Sequence, residues 1–165
     1  PAFEQALKGF SRYASGQDRL LVLIDYTKPS TEKRFYILDL LQKKLLLSTY
    51  VAHGRGSGDN YAVAFSNRPG SYQSSLGFFR TGDTYMGKNG YSLFLDGLEK
   101  GINDKARERA IVVHGANYAD PAVLKGQQRL GRSLGCPALP PDISKQVIDT
   151  IKGGVLLYIY GLNKA

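Results

Sequence analysis

Only one cysteine, Cys136, occurs among the 165 residues, and tryptophan is absent altogether. A lone thiol excludes an internal disulfide framework. Histidine is almost as scarce, with His53 and His114 alone. No His-Glu-x-x-His or Cys-x-x-Cys spacing is present, so no metal is expected, and no cofactor either. No stretch approaches the roughly 20 apolar residues that a membrane-spanning helix needs, so no membrane span is expected. Nothing like a leader opens the chain, which starts at Pro1, and the sequence leaves its compartment open. Long basic runs are missing too, although 22 Lys and Arg against 14 Asp and Glu give a formal charge of +8. The basic residues are scattered, as in Lys43-Lys44, Arg107 with Arg109, and Arg129 with Arg132. Without an aromatic-interleaved basic signature, a solvated surface explains the charge, and nucleic acid is not an expected partner.

What is abundant is glycine, 19 residues, together with tyrosine and phenylalanine. A chain of this length supports one domain with a real core. One domain over residues 1–165 is therefore expected, with 1–16 as a helical N-terminal extension, and a monomer. Phe3, Ala6, Leu7 and Phe10 recur at helical spacing in that extension, and Gly16 ends it. "RLLVLIDY" (19–26), "RFYILDL" (34–40) and "LLLSTYVA" (45–52) read as three strands with short links, a β-meander. Residues 53–76 are rich in Gly, Ser and Asn and predict a long ordered loop. "GFFRTG" and "YSLFLDGL" predict strands around the turn "GDTYMGKNG", followed by a short helix over "NDKARERA" with Asn103 or Asp104 as its cap. "AIVVHGA" is a strand ending at His114. A helix then starts at Pro140-Pro141, carries Ile143, Val147, Ile148 and Ile151 on one face and stops at Gly153-Gly154. "VLLYIY" closes the chain as a buried strand. The fold expected is mainly β with a few short helices.

Two motifs mislead. "GRSLG" (131–135) matches the Gly-x-Ser-x-Gly nucleophile elbow, but that arrangement needs a histidine after the serine, and both histidines precede Ser133. Gly82 to Lys88 matches most of a phosphate-binding loop, but Asn89 stands where Ser or Thr should be, and a strand follows instead of a helix. A glycine-rich hairpin accounts for it.

The thiol remains. It reacts only as thiolate and needs a base, and His114, at the end of an apolar strand and followed by Gly115, is the natural one. A buried structural cysteine is the bland alternative. "SLGCP" tilts the balance, because Gly135 permits close backbone approach and consecutive N–H groups there could receive an oxyanion. Papain-like order is excluded, since no histidine follows Cys136.

A histidine followed by Ser-x-Gly-Cys in a mainly-β chain resembles the L,D-transpeptidase (YkuD) catalytic domain. The segments "VAHGRGSG", "FSNRPGSYQSSLGFFRTG", "YMGKNGYSLFLDGLEKGIND", "IVVHGANY" and "GRSLGCPALP" are similar to its YkuD_2 branch, over roughly residues 45–140. The resemblance implies a YkuD-like β-sandwich or barrel. It implies cysteine acyl transfer on peptidoglycan stem peptides in the periplasm or elsewhere in the envelope, with Cys136 as nucleophile and His114 as base, oriented by a carbonyl near Gly115. N–H groups of Leu134, Gly135 and Cys136 would form the oxyanion hole. Ser133, Arg132, Tyr85, Gly87, Lys88 and His53 would contact substrate. Release of D-Ala and a 3–3 cross-link would follow. An L,D-carboxypeptidase or thiol amidase, or a non-catalytic wall-binding module, are the alternatives. Leu134 departs from the family pattern, which carries a second histidine there.

Overall fold

The protein is described from a computed structural model covering residues 1–16 and 18–164. Helix α1 (Ala2–Tyr13) opens the chain. Ala2 and Ala6, having little side chain, bring it close to the sheet, where they pack on Leu21, Leu23, Phe78 and Leu156. Gly9 is required here: a Cβ would fall within the Phe78 ring. Phe10 and Tyr13 join this contact, whereas Phe3 stays 47% exposed and Leu7 stands at the rim. The apolar spacing predicts the helix correctly, but its buried face is shifted towards the alanines.

The expected meander is present as β1 (Leu20–Asp25), β2 (Phe35–Asp39) and β3 (Lys44–Thr49), paired antiparallel. In β1 the run Leu21–Ile24 is buried throughout, as suits an inner strand covered on both faces. Its other neighbour is the last strand, β8 (Leu156–Tyr160), which runs parallel to it and antiparallel to β4.

Strand β4 (Gly77–Gly87) and β5 (Gly90–Gly97) form a hairpin longer than the sequence predicts. The expected turn from Gly82 to Gly90 is instead mostly strand, with Thr84, Tyr85 and Met86 opposite Leu93, Ser92 and Tyr91. These β-branched and aromatic residues pair well across strands, so only Lys88-Asn89 is left to turn, helped by Gly90 at φ 84°. A second expectation also fails: 101–110 forms successive turns instead of a helix. Asn103, fully buried, does not cap a helix. Its amide accepts from Glu99 N and donates to the carbonyls of Leu76 and Phe78, all at 2.9 Å. That ties the segment to the sheet and breaks the helical ladder.

Strands β6 (Val112–Gly115) and β7 (Ala138–Leu139) and helix α2 (Pro141–Ile151) complete the set. The sheet order is β3-β2-β1-β8-β4-β5-β6-β7. Beyond β3, Ala52 bonds in both directions to Ala138 of β7 (N···O 2.8 and 3.3 Å), so the two ends of the sheet meet. The result is a nearly closed, barrel-like sheet of eight strands, the mainly-β architecture expected. Val147, Ile148 and Ile151 of α2 plug the core that contains Val22, Ile37, Phe79, Leu93, Leu95 and Leu157. No helix among the described residues is long and apolar enough to cross a membrane.

Candidate active site

Parallel pairing of β6 with β7 decides where the chemistry-bearing residues meet. His114 lies opposite Ala138, two residues beyond Cys136, and its N–H reaches Pro137 O at 3.4 Å. Residues distant in sequence therefore arrive at one end of one strand pair. Both line a cavity of about 400 Å³, with Tyr85 and Lys88 from the β4–β5 hairpin, Arg109, Tyr118 and Arg132 around them.

The loop carrying Cys136 is held from below. Ser133 N donates to His53 O (2.9 Å) and Arg55 N to Ser133 O (2.8 Å). Gly54 N donates to Ser74 Oγ (2.9 Å), Ser74 N to Ser57 Oγ (2.8 Å), and Gly56 N to Tyr72 O (2.8 Å). Three segments, 53–57, 71–75 and 131–136, are thus laced together by backbone and serine hydroxyls. Within the loop, Ser133 Oγ donates to Cys136 O (2.6 Å) and accepts from Gly135 N (3.1 Å). Gly135 has φ 129°, which a side chain would resist. Of the three N–H groups expected to receive an oxyanion, that of Gly135 is already spent on Ser133 Oγ.

The thiol is only partly buried. Cys136 Sγ donates towards Ala110 O (3.3 Å) and accepts from Val112 N (3.4 Å). Burial pushes the thiol up, and the Val112 N–H, with the charges of Arg109 and Lys88, offsets that only in part. Ala110 holds φ 56°, unusual for a residue with a Cβ, and this backbone twist aims its carbonyl at the thiol.

His114 Nδ1 lies 2.9 Å from Gly115 O. A carbonyl can only accept, so Nδ1 carries the proton and Nε2 is the basic nitrogen of the neutral ring. Burial lowers this histidine's pKa, with the Gly115 carbonyl opposing. Thiol and imidazole are therefore both favoured in their neutral forms.

The other predicted residues divide. Tyr85 stacks on Phe94 (4.4 Å between centroids) at the cavity wall. Arg132 is at the wall but already faces Asp59 at 3.1 Å. Leu134 stands 54% exposed at the lip. Gly87 lies on β4 outside the lining, and Gly115 turns away beneath Ser144.

His53 is placed differently from the expectation of a substrate contact. It is 1% exposed, outside the cavity, with both nitrogens engaged: Nδ1 accepts from Arg34 Nη2 (2.9 Å) and Nε2 donates to Gly58 O (3.2 Å). Burial, reinforced by the Arg34 charge, pulls its pKa down to about 4. Arg34 itself is fully buried, and that burial lowers its pKa to about 10, with Tyr26 and the Asp25 charge opposing. It donates to Val51 O (2.6 and 3.0 Å) and Lys28 O (3.0 Å) and lies over the Tyr26 ring. Sequence reasoning missed Arg34, Arg109 and Tyr118; the first reads as a surface residue beside a turn, and only the folded chain places the other two at the thiol.

A pH dependence follows from His53. The unfolded ring titrates near 6.5 and the folded one near 4. Above pH 6.5 both states are neutral, and this stability is fully present. As pH falls through 6.5 towards 4, only the unfolded state takes up the proton, costing about 1.4 kcal/mol per unit. Urea denaturation at pH 7 and 4.5 is expected to differ by about 2–3 kcal/mol from this group alone. The difference should shrink in His53→Gln compared at the same two pH values, and an equal difference in that variant would remove the assignment.

The structure is thus a barrel-like sheet with an imidazole and a thiol lining one cavity at one strand end. The chain belongs to the L,D-transpeptidase catalytic domain family, whose YkuD_2 model matches residues 1–160. Among curated protein sequences, none matches. Solved structures with the same fold include an L,D-transpeptidase from Mycobacterium smegmatis (13% identity, TM-score 0.52, covering 87% of this chain and 59% of that one). The helical cell shape determining protein Pgp2 of Campylobacter jejuni aligns at 16% identity and TM-score 0.58, over 90% of this chain and 50% of its own. An L,D-transpeptidase from Stackebrandtia nassauensis aligns at 15% and 0.52, over 94% and 62%. This chain spans half to about three fifths of their lengths. Among the described residues no group of three or more His, Cys, Asp or Glu is placed to hold a metal ion.

Proposed function

We propose that the protein is a cysteine-dependent L,D-transpeptidase acting on peptidoglycan tetrapeptide stems in the cell envelope. The observation that carries this reading is the pinned tautomer of His114: Nδ1–H on Gly115 O leaves Nε2 as a base in the cavity that also contains Cys136. In the resting state the thiol proton rests on Ala110 O. When a stem enters, Nε2 takes that proton as sulfur attacks the carbonyl between the L-centre of a diaminopimelate-type residue and the terminal D-Ala. A C–S bond forms, and the N–H groups of Leu134 and Cys136 receive the oxyanion. His114 returns the proton to the departing amine, the C–N bond breaks and D-Ala leaves. The amine of a second stem then attacks the thioester, loses its proton to His114 and restores the thiol, giving a 3–3 cross-link.

The cavity's cations and the absence of an acidic side chain in its wall suit a substrate that ends in a carboxylate. Incubation of the purified protein with tetrapeptide muropeptides, followed by mass spectrometry, tests the reading. Free D-Ala together with 3–3 dimers is expected. Tripeptide without dimers would assign water as acceptor and make the protein an L,D-carboxypeptidase. No release, or release that persists in Cys136→Ala, would overturn the proposed chemistry.

A further inference from the structure

Three cationic side chains face the cavity, and their partners differ. Arg132 meets Asp59. Lys88 stands at the hairpin tip. Arg109 spends its guanidinium on neutral oxygens alone: Nη1 donates to Ser66 O (2.8 Å) and Ser75 Oγ (2.7 Å), Nη2 to Ser71 Oγ (3.1 Å) and Gln73 O (2.8 Å). Four hydrogen bonds fix its position without cancelling its charge. A bound carboxylate would have neutralised it; serines and carbonyls do not.

The same residue sits where that charge counts. Ala110, whose carbonyl accepts from Cys136 Sγ, follows it directly in the chain, and Val112, whose N–H donates to that sulfur, lies three positions on. Its Nη2 also lies 3.5 Å from where a Cβ on Gly135 would be, and Gln73 O, which it holds, lies 3.0 Å from that point. The guanidinium therefore joins the 66–75 loop to the floor of the cysteine loop.

We propose that Arg109 is a positioning residue that faces the Cys136 sulfur with an uncancelled positive charge as it ionises and clamps the 66–75 loop beneath Gly135. This rests on Cys136 being the reacting group, but its test does not. The other titratable groups around the sulfur are Tyr85 on β4, Lys88 at the hairpin tip, His114 on β6, Tyr118 after it, Arg132 on the cysteine's own loop and Tyr26 beneath. Of these cations, Arg132 is shared with Asp59 and Lys88 lies on a turn, so Arg109 is the one both fixed and uncancelled.

Alkylation of Cys136 by iodoacetamide, followed by intact mass across pH 6–10, reads thiol ionisation whether or not the protein turns over. In Arg109→Gln the midpoint is expected to rise by about one pH unit, with alkylation roughly tenfold slower below it. Limited proteolysis should nick 66–75 faster. Arg109→Lys keeps the charge but cannot make four directed bonds, so its midpoint should stay while nicking still accelerates. A wild-type midpoint in Arg109→Gln would overturn the electrostatic role, and unchanged nicking in both variants would overturn the clamp. If Arg109→Gln does not fold, the lysine variant decides alone, a raised midpoint or unchanged nicking sinking the proposal. Retained D-Ala release in Cys136→Ala, with the Arg109 effect on alkylation intact, would instead fail the proposed reaction and leave Arg109's effect on the thiol standing.

Discussion

Cys136→Ala is expected to lower D-Ala release by about 10⁴-fold or more while shifting Tm by no more than about 3 °C. The asymmetry has a structural cause. The thiol makes only two long contacts, to Ala110 O at 3.3 Å and from Val112 N at 3.4 Å. Losing them costs about 1 kcal/mol. Function falls much further, because a covalent route without its nucleophile retains only binding and oxyanion stabilisation. Cys136→Ser separates nucleophile from geometry. A hydroxyl fits the site, but its proton is held far more tightly than a thiol's, and burial has weakened the His114 base. A loss of about 10³-fold is expected. His114→Gln should fall by about 10²- to 10⁴-fold. Product release is measured by mass spectrometry, and adduct formation with a carbapenem gives a second readout. An adduct on Cys136→Ala would show that the label sits elsewhere, and unchanged turnover by His114→Gln would remove the base.

The parts of this arrangement that were legible in the sequence are those set by local pattern or by chain order. β2 and α2 follow from apolar periodicity, β1 and β8 from buried apolar runs, and β3 from an apolar run although Leu45 and Leu46 lie exposed. Cys136 and His114 emerge from elimination, because a downstream histidine is missing. Their proximity was not local information. It comes from the parallel β6–β7 pairing and from the lacing of three loops through Ser57, Ser74 and Ser133. The failures have the same origin. "NDKARERA" has ordinary helical propensity, yet Asn103 is drawn to the distant carbonyls of Leu76 and Phe78 as well as to Glu99 N, and tertiary bonds override the local preference. "GDTYMGKNG" contains turn residues, but cross-strand packing extends the strands to Gly87. His53 resembles any polar loop residue until Arg34, just before β2, is found beneath it. Burial of a cation so far along the chain leaves no periodic trace.

Gly54→Ala is expected to damage stability and turnover together while leaving thiol, imidazole and Arg109 in place. The backbone at Gly54 has φ −68° and ψ 144°, a conformation alanine adopts freely. In open space such a substitution would stabilise by about 0.4–1 kcal/mol through the unfolded state. The surroundings reverse the sign. A Cβ there would lie 2.4 Å from Tyr72 O, 2.9 Å from Gly135 Cα and 3.0 Å from Gly135 N. All three are backbone atoms in segments laced to one another, so no side chain can swing aside. Relief requires the 71–75 and 131–136 loops to separate, which strains the Gly54 N to Ser74 Oγ and Ser133 N to His53 O bonds. Overpacking of this kind costs about 2–3 kcal/mol, or roughly 5–10 °C in Tm. Because Gly135 carries the displacement to Cys136, turnover should also fall by about 10²-fold at temperatures where the variant is fully folded. Gly16→Ala, with nothing within 4 Å of its Cβ, is the control and should leave both quantities at wild-type values. A Gly54→Ala protein with wild-type Tm and turnover would mean that the three loops are not held together as a unit. The cysteine would then owe its position to β7 alone.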